Sequence, residues 1–177
     1  PVSTVAPDNG DMAAIPGTFA TVRTDTRQAL GVVTQQYRPF QNREAFDFMD
    51  SIVADRLAMF ETAGALKGGR RVWMMARLPG EVRVAGDDVI HPYVLLSNSH
   101  DGSQALRMLP TTVRVVCWNT LNLALGRAGA HEGLTIRHYE SLDERVAEAR
   151  RKLGVVVARV DRFAEEAQAL AKRTMTR

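Results

Sequence analysis

The sequence predicts an α+β fold built on an antiparallel sheet, and three observations carry that prediction. Short apolar–polar alternations recur along the middle of the chain. Turn signals separate them: Thr-Asp-Thr at 24–26, Lys-Gly-Gly at 67–69, Pro-Gly at 79–80 and His-Asp-Gly-Ser at 100–103. Helical periodicity falls in a few blocks between and after the strands, which is the α+β order. Finally, the links between strands are too short for the crossovers that parallel pairing requires.

Taken in order, residues 1–17 are rich in Pro, Gly, Asp and small side chains and read as a flexible lead-in. A single domain is expected over 18–177. Its first element is a hairpin, with strands Phe19–Arg23 and Ala29–Val33 and a turn near Asp25. An amphipathic helix follows, because Phe46, Met49, Ile52, Val53, Leu57 and Phe60 recur at spacings of three and four. Asn42 is its expected N-cap, and Glu44 sits in the first turn, where the helix dipole favours an anion.

The run "ETAGALKGGRRVWMMARLPGEVRVAG" reads as strand, glycine turn, strand and Pro-Gly turn. "YVLLSNS" is another strand and "HDGS" a turn. "QALRMLPTTVRVVCW" reads as one long strand with a bend at Pro110, since proline cannot donate to a ladder. "NTLNLALG" reads as a short helix with Asn119 at its N-cap and Gly126 just past its end. "LTIRHY" is a further strand candidate. A long C-terminal helix is expected after the capping box at Ser141–Glu144. Its apolar seam runs through Leu142, Val146, Ala149, Leu153, Val156, Val160, Phe163, Ala167 and Leu170.

Composition narrows the function classes. The 177 residues are 45% hydrophobic and 24% charged, ordinary for a globular chain. No apolar run reaches the ~18 residues that cross a bilayer, so no membrane partner is expected. The single cysteine, Cys117, rules out an intrachain disulfide and fits a reducing cytoplasm. Net charge is only +3, but the cations cluster: Lys67, Arg70, Arg71, Arg77 and Arg83 face one acid, Glu81, within 67–83. Such a patch permits contact with nucleic acid.

Four collinear blocks carry a family resemblance: "LGVVTQQYRPFQNREAFDFMDSIV", "ETAGALKGGRRVWMMARLPG", "LLSNSHDGSQALRMLPTTVRVVCWNTLNLAL" and "IRHYESLDERVAEARRKLG". Together they resemble the phage/plasmid-like protein family, a domain of unknown function. The resemblance implies carriage on phages, plasmids or integrated elements, and a longer parent protein of which this chain is a fragment. It implies no catalytic residues. At the level of topology alone, the order of elements is similar to recombination strand-annealing proteins, which associate into multimers.

Two strands suggest a ligand surface. In "RRVWMMARL", alternation puts Arg71, Trp73, Met75 and Arg77 on one face and Val72, Met74, Ala76 and Leu78 on the other. Arginines meet phosphates and an indole stacks on a base, a pairing suited to single-stranded DNA. In "TTVRVVCW", Thr112, Arg114, Val116 and Trp118 would share a face, repeating the pattern, and Arg107 lies on the strand before. Lys67, Arg70 and the free amides at Asn119 complete this candidate surface. The competing reading packs Trp73 under a helix.

Asn98, Ser99, His100 and Asp101 either line a ligand or hold a turn through Asx and Ser hydrogen bonds. His91, Asp87 and Asp88 lie upstream, but no metal-ligand spacing is present and no metal or cofactor is expected. Cys117, amid Val115, Val116 and Trp118, reads as an inert buried thiol, so no enzyme activity is expected. The sequence therefore predicts a single-stranded-DNA-binding protein of a mobile element, engaged in annealing or recombination and self-associating. Its rival is a non-catalytic protein-interaction or host-defence-countering protein.

Overall fold

The computed structural model describes residues 2–5, 15–53, 58–85, 88–127, 133–152 and 154. Its centre is a five-stranded sheet in the order β10-β9-β8-β5-β4, antiparallel at every pair. These strands are β4 (Met59–Leu66), β5 (Arg71–Arg77), β8 (Tyr93–Ser99), β9 (Leu106–Thr111) and β10 (Leu134–Ile136). A three-stranded sheet joins β1 (Val2–Val5), β2 (Thr18–Arg23) and β3 (Ala29–Thr34). A small ribbon pairs β6 (Val82–Ala85) with β7 (Asp88–Ile90). The helices are α1 (Asn42–Val53), α2 (Trp118–Arg127) and a helical run α3 over 142–152. The predicted α+β class holds. The outer part of the C-terminal seam, Leu153 and Val156 onward, lies outside the described residues.

Helices cover both faces of the five-stranded sheet. One face buries Met74, Ala76, Val94, Leu96, Leu106, Met108, Leu134 and Ile136 against Phe48 and Met49 of α1 and Ala149 of α3. The other buries Trp73, Met75, Leu95 and Leu109 against Leu121, Ala124 and Leu125 of α2. All seven residues of β8 are buried in consequence. Its unbroken "YVLL" is the pattern of a strand with no solvent face. Each fully buried leucine on either face contributes roughly 1.5–3 kcal/mol relative to exposure.

Several boundaries differ from the sequence prediction. Val2–Val5 is not a lead-in but β1, antiparallel to β2. Gln41 anchors it, accepting from Val2 N at 2.8 Å and donating to Val2 O at 2.7 Å. The first helix does not reach Phe60. Met59 already pairs with Arg77 as the start of β4, and a bulge follows Phe60. Leu57 lies outside the described residues. Gln41, not Asn42, is the N-cap of α1: its carbonyl accepts from Ala45 N, and Glu44 Oε2 accepts from Gln41 N at 2.6 Å. Half of a capping box thus forms one residue earlier than predicted.

Strand β9 stops at Thr111 rather than running to Trp118. Pro110 lacks an amide, and the Thr111 hydroxyl then accepts from Val113 N at 3.0 Å, turning the chain out of the ladder. Helix α2 begins at Trp118. Thr120 Oγ1 accepts from Cys117 N at 3.1 Å and Val116 N at 3.0 Å. Asn119 is thus inside the first turn and not its cap. Gly126 lies within the helix, which ends at Arg127.

Candidate nucleic-acid interface

Strand register puts the β5 arginines where alternation predicted and tertiary packing where it did not. Trp73 pairs with Ser97, and Ser97 with Arg107. Arg71, Trp73, Arg77 and Arg107 therefore do share one face of the sheet. That face is roofed by α2, so the solvent-facing groove expected there does not exist. Trp73 is 5% exposed and packs in the core beneath the helix. Across the ladder stands Gly64, where an added Cβ would lie 2.9 Å from the indole. The edge strand needs glycine at that point because the ring fills the space.

The arginines are engaged within the fold. Arg71 is buried; its guanidinium donates to Gln104 Oε1 at 2.8 Å and Ser103 Oγ at 3.0 Å. Burial lowers its pKa, and the charge of Asp101 opposes that shift. Arg77 meets His91 Nδ1 at 2.6 Å. Arg107 reaches the Leu125 carbonyl at 3.5 Å, near the end of α2, where the helix dipole favours a cation. Arg114 stands on no strand; it is exposed and pairs with Glu61 at 3.0 Å.

What remains open is one corner of the molecule. Lys67, Gly68 and Gly69 all take positive φ, at 51°, 68° and 96°. The two glycines make that reversal without Cβ strain. The turn swings Lys67 over α2, placing its Nζ 3.8 Å above the Trp118 ring, with the Arg71 guanidinium carbon 5.5 Å from the same ring. Trp118 is half-buried; Arg70, which ends the same turn as Lys67, and Asn119, next along α2, are exposed. Among the described residues neither Lys67 nor Arg70 makes an ion pair. Arg23, behind the turn, donates to Gly68 O at 3.3 Å but is matched by Asp25, whose carboxyl it holds down at about 2.

The polar stretch at 98–103 is the end of β8, Asn98 and Ser99, followed by a turn. Asp101 Oδ1 accepts from Ser103 N at 3.0 Å and from the hydroxyls of Ser99 and Ser103, and Gly102 takes φ 75°. The hairpin presses on this loop so closely that a Cβ at Gly31 would fall 2.6 Å from the Asp101 backbone. Asn98 Nδ2 donates to Phe40 O at 3.0 Å, and His100 Nε2 contacts Asn42 Oδ1 at 2.7 Å. Only 1% of His100 is exposed. Burial lowers its pKa to about 4, with the nearby His138 adding to the shift and Asp101 opposing it.

His138, which the sequence reading passed over, closes this cluster. Its ring stacks between Tyr37 and Phe40, at centroid distances of 4.4 and 4.7 Å. Its Nδ1 contacts Arg38 O at 3.1 Å, and Arg38 N donates back to His138 O at 2.6 Å. Tyr37 donates to Ser99 O at 2.8 Å. Nothing local in "IRHY" marks the histidine, since its partners lie about a hundred residues earlier. Beside it opens a cleft of about 270 Å³ bordered by Tyr37, Gln104, Arg137, His138 and Tyr139.

Cys117 is exposed rather than buried, because the strand meant to carry it inward ends at Thr111. Its thiol contacts Thr120 Oγ1 at 3.5 Å, and this hydroxyl lowers its pKa. Among the described residues no three His, Cys, Asp or Glu side chains converge as metal ligands, and no helix is long and apolar enough to cross a membrane. No curated protein and no solved structure matches the chain. The chain belongs to the family described as domain of unknown function (DUF932), whose model matches residues 29–177.

Proposed function

We propose that this protein binds single-stranded nucleic acid, preferentially DNA, at the corner formed by Lys67, Arg70 and Trp118. The observation that carries this reading is the Lys67 ammonium, without an ion pair among the described residues and 3.8 Å over the face of a half-buried indole. An exposed cation–π contact stabilises by about 0.5–1 kcal/mol. Stacking of a base on an aromatic ring is worth roughly 1–3 kcal/mol. A base can therefore displace Lys67 from the ring, and the freed ammonium, with Arg70, meets the phosphates. Arg71, which is buried, and Arg77 and Arg107, half-buried and engaged by His91 and the Leu125 carbonyl, have no part in this contact. Arg71 supports the ring from inside.

The resemblance to phage/plasmid-like proteins supports a reading in which this activity belongs to a mobile element and serves annealing or recombination in a cytoplasmic, self-associating protein. A fluorescent oligothymidine titrated at low and moderate salt tests it. Each lost phosphate contact on a single strand should reduce the slope of log affinity against log salt by about 0.7. Lys67→Gln and Arg70→Gln should each do so, whereas Trp118→Ala should weaken binding without changing the slope. Absence of binding at low salt would refute the proposal.

The rival reading, a non-catalytic protein-interaction or host-defence-countering protein, takes support from β4. That strand pairs only with β5 among the described residues, and Met59 on it is 73% exposed. An uncovered apolar edge is a template for another chain. Pull-down with and without nuclease separates the two readings: partners that survive nuclease favour protein contact.

A further inference from the structure

We infer that the cleft beside His138 is a pocket for a single nucleotide unit, with Arg137 taking the phosphate and the side-chain amides of Gln36 and Gln104 meeting the base edge. This deepens the proposed function by giving the bound strand a second contact point.

The first argument is position. Arg71 opens β5 and pairs with Ser99, which closes β8; Leu106 opens β9 and pairs with Ile136, which closes β10. The turn at 67–70, the loop at 100–105 and the segment 137–139 therefore leave the sheet at the same end. From β5 to β10 there are three strand spacings, or about 14 Å. Gln104 joins the two places. Its Oε1 holds the buried Arg71 that lies under Trp118, while the residue also borders the cleft. A strand lying across this end would meet Lys67, Arg70 and Trp118 first, then Arg137 and Tyr139.

The second argument is chemistry. The cleft is bordered by Thr34, Gln36, Tyr37, Gln104, Arg137, His138 and Tyr139 with small residues between, and among the described residues by no carboxylate. Arg137 is exposed and uses Nη1 to donate to Tyr139 Oη at 2.6 Å, so its remaining N–H groups are available. The neighbouring Glu140 carboxylate is already engaged, accepting from Arg137 N at 2.6 Å and pairing with Arg145 at 3.7 Å. Guanidinium suits phosphate, and carboxamides match base edges, which carry donors and acceptors together. Tyr139, 54% exposed, offers a ring beside them. His138 is 6% exposed, and its Nε2 has no hydrogen-bond partner. Burial lowers its pKa, opposed by the backbone of Arg38 and of Gln104. The volume, about 270 Å³, is just below that of drug-sized pockets and suits one base with its phosphate.

The test has two arms on the full 177-residue chain, one for a free nucleotide and one for a nucleotide within a strand. In the first, dAMP, dTMP and inorganic phosphate are titrated separately by NMR, following the Gln104 side-chain amide and the His138 ring. Both nucleotides should shift these signals, phosphate should not reproduce the pattern, and Arg137→Gln should weaken nucleotide binding about tenfold, the loss of one charge-assisted contact. In the second, oligothymidine binding is compared across Arg137→Gln, Lys67→Gln and the parent. Nucleotide binding lost in Arg137→Gln upholds the pocket even if no strand binds, in which case the proposed function fails alone. If strands bind through Lys67 while nucleotides shift nothing and Arg137→Gln is silent, the pocket is refuted and the function stands. Equal shifts from phosphate alone would refute the base contact. No binding in either arm overturns both.

Discussion

Acidification should destabilise this fold well before its carboxylates protonate, and His100 is the reason. The unfolded side chain titrates near 6.5, whereas burial beneath the α1 entry holds the folded side chain at about 4. A lowered folded pKa means that the unfolded state binds the proton more readily between those values. Stability is therefore complete above about pH 6.5 and falls as pH drops towards 4. The difference of some 2.5 units, at ~1.4 kcal/mol each, amounts to about 3 kcal/mol. His138, also lowered by burial, adds in the same direction. Asp101, whose carboxyl is held below its usual range by hydrogen bonds from Ser103 and Ser99 despite burial, loses its contribution only at lower pH. Against a typical total of 5–15 kcal/mol, a loss of that size is large. The assay is the urea midpoint measured from pH 7.5 to 4.5 for the parent and for His100→Gln, which keeps an amide donor for Asn42 Oδ1 but cannot titrate. The parent midpoint should fall more steeply. Identical pH dependence in the two proteins would refute the burial argument.

Trp73→Ala should cost about 3–5 kcal/mol and lower the urea midpoint sharply, because it empties the space between Gly64 and α2; an unchanged midpoint would mean that the indole is not in the core. Cys117 should react with a thiol reagent in the native state as readily as a free thiol, since it is exposed and its pKa is lowered by Thr120. Protection until unfolding would contradict that placement.

Much of the fold is legible in the chain. The hairpin turn, the amphipathic stretch after Phe40, the glycine reversal at 67–69 and the Asx-type loop at 100–103 each depend on a few adjacent residues, whose φ preferences and hydrogen-bonding groups act locally. Alternation in β5 likewise sorted Arg71, Trp73 and Arg77 onto one face. What alternation could not say is what covers that face. The roof comes from α2, some forty residues downstream; Met75 within the same row and the unbroken apolar run of β8 are the features that favour the reading of Trp73 packed under a helix. The end of β9 at Thr111 was a contest between ladder pairing and a threonine-held turn, decided by a missing proline amide. The stacked trio of Tyr37, Phe40 and His138 exists only because β10 delivers the histidine back to the hairpin exit. Local conformational preference is written in neighbouring residues, whereas burial is a property of whichever distant segment arrives on top, and one sequence read along its length does not contain that distance.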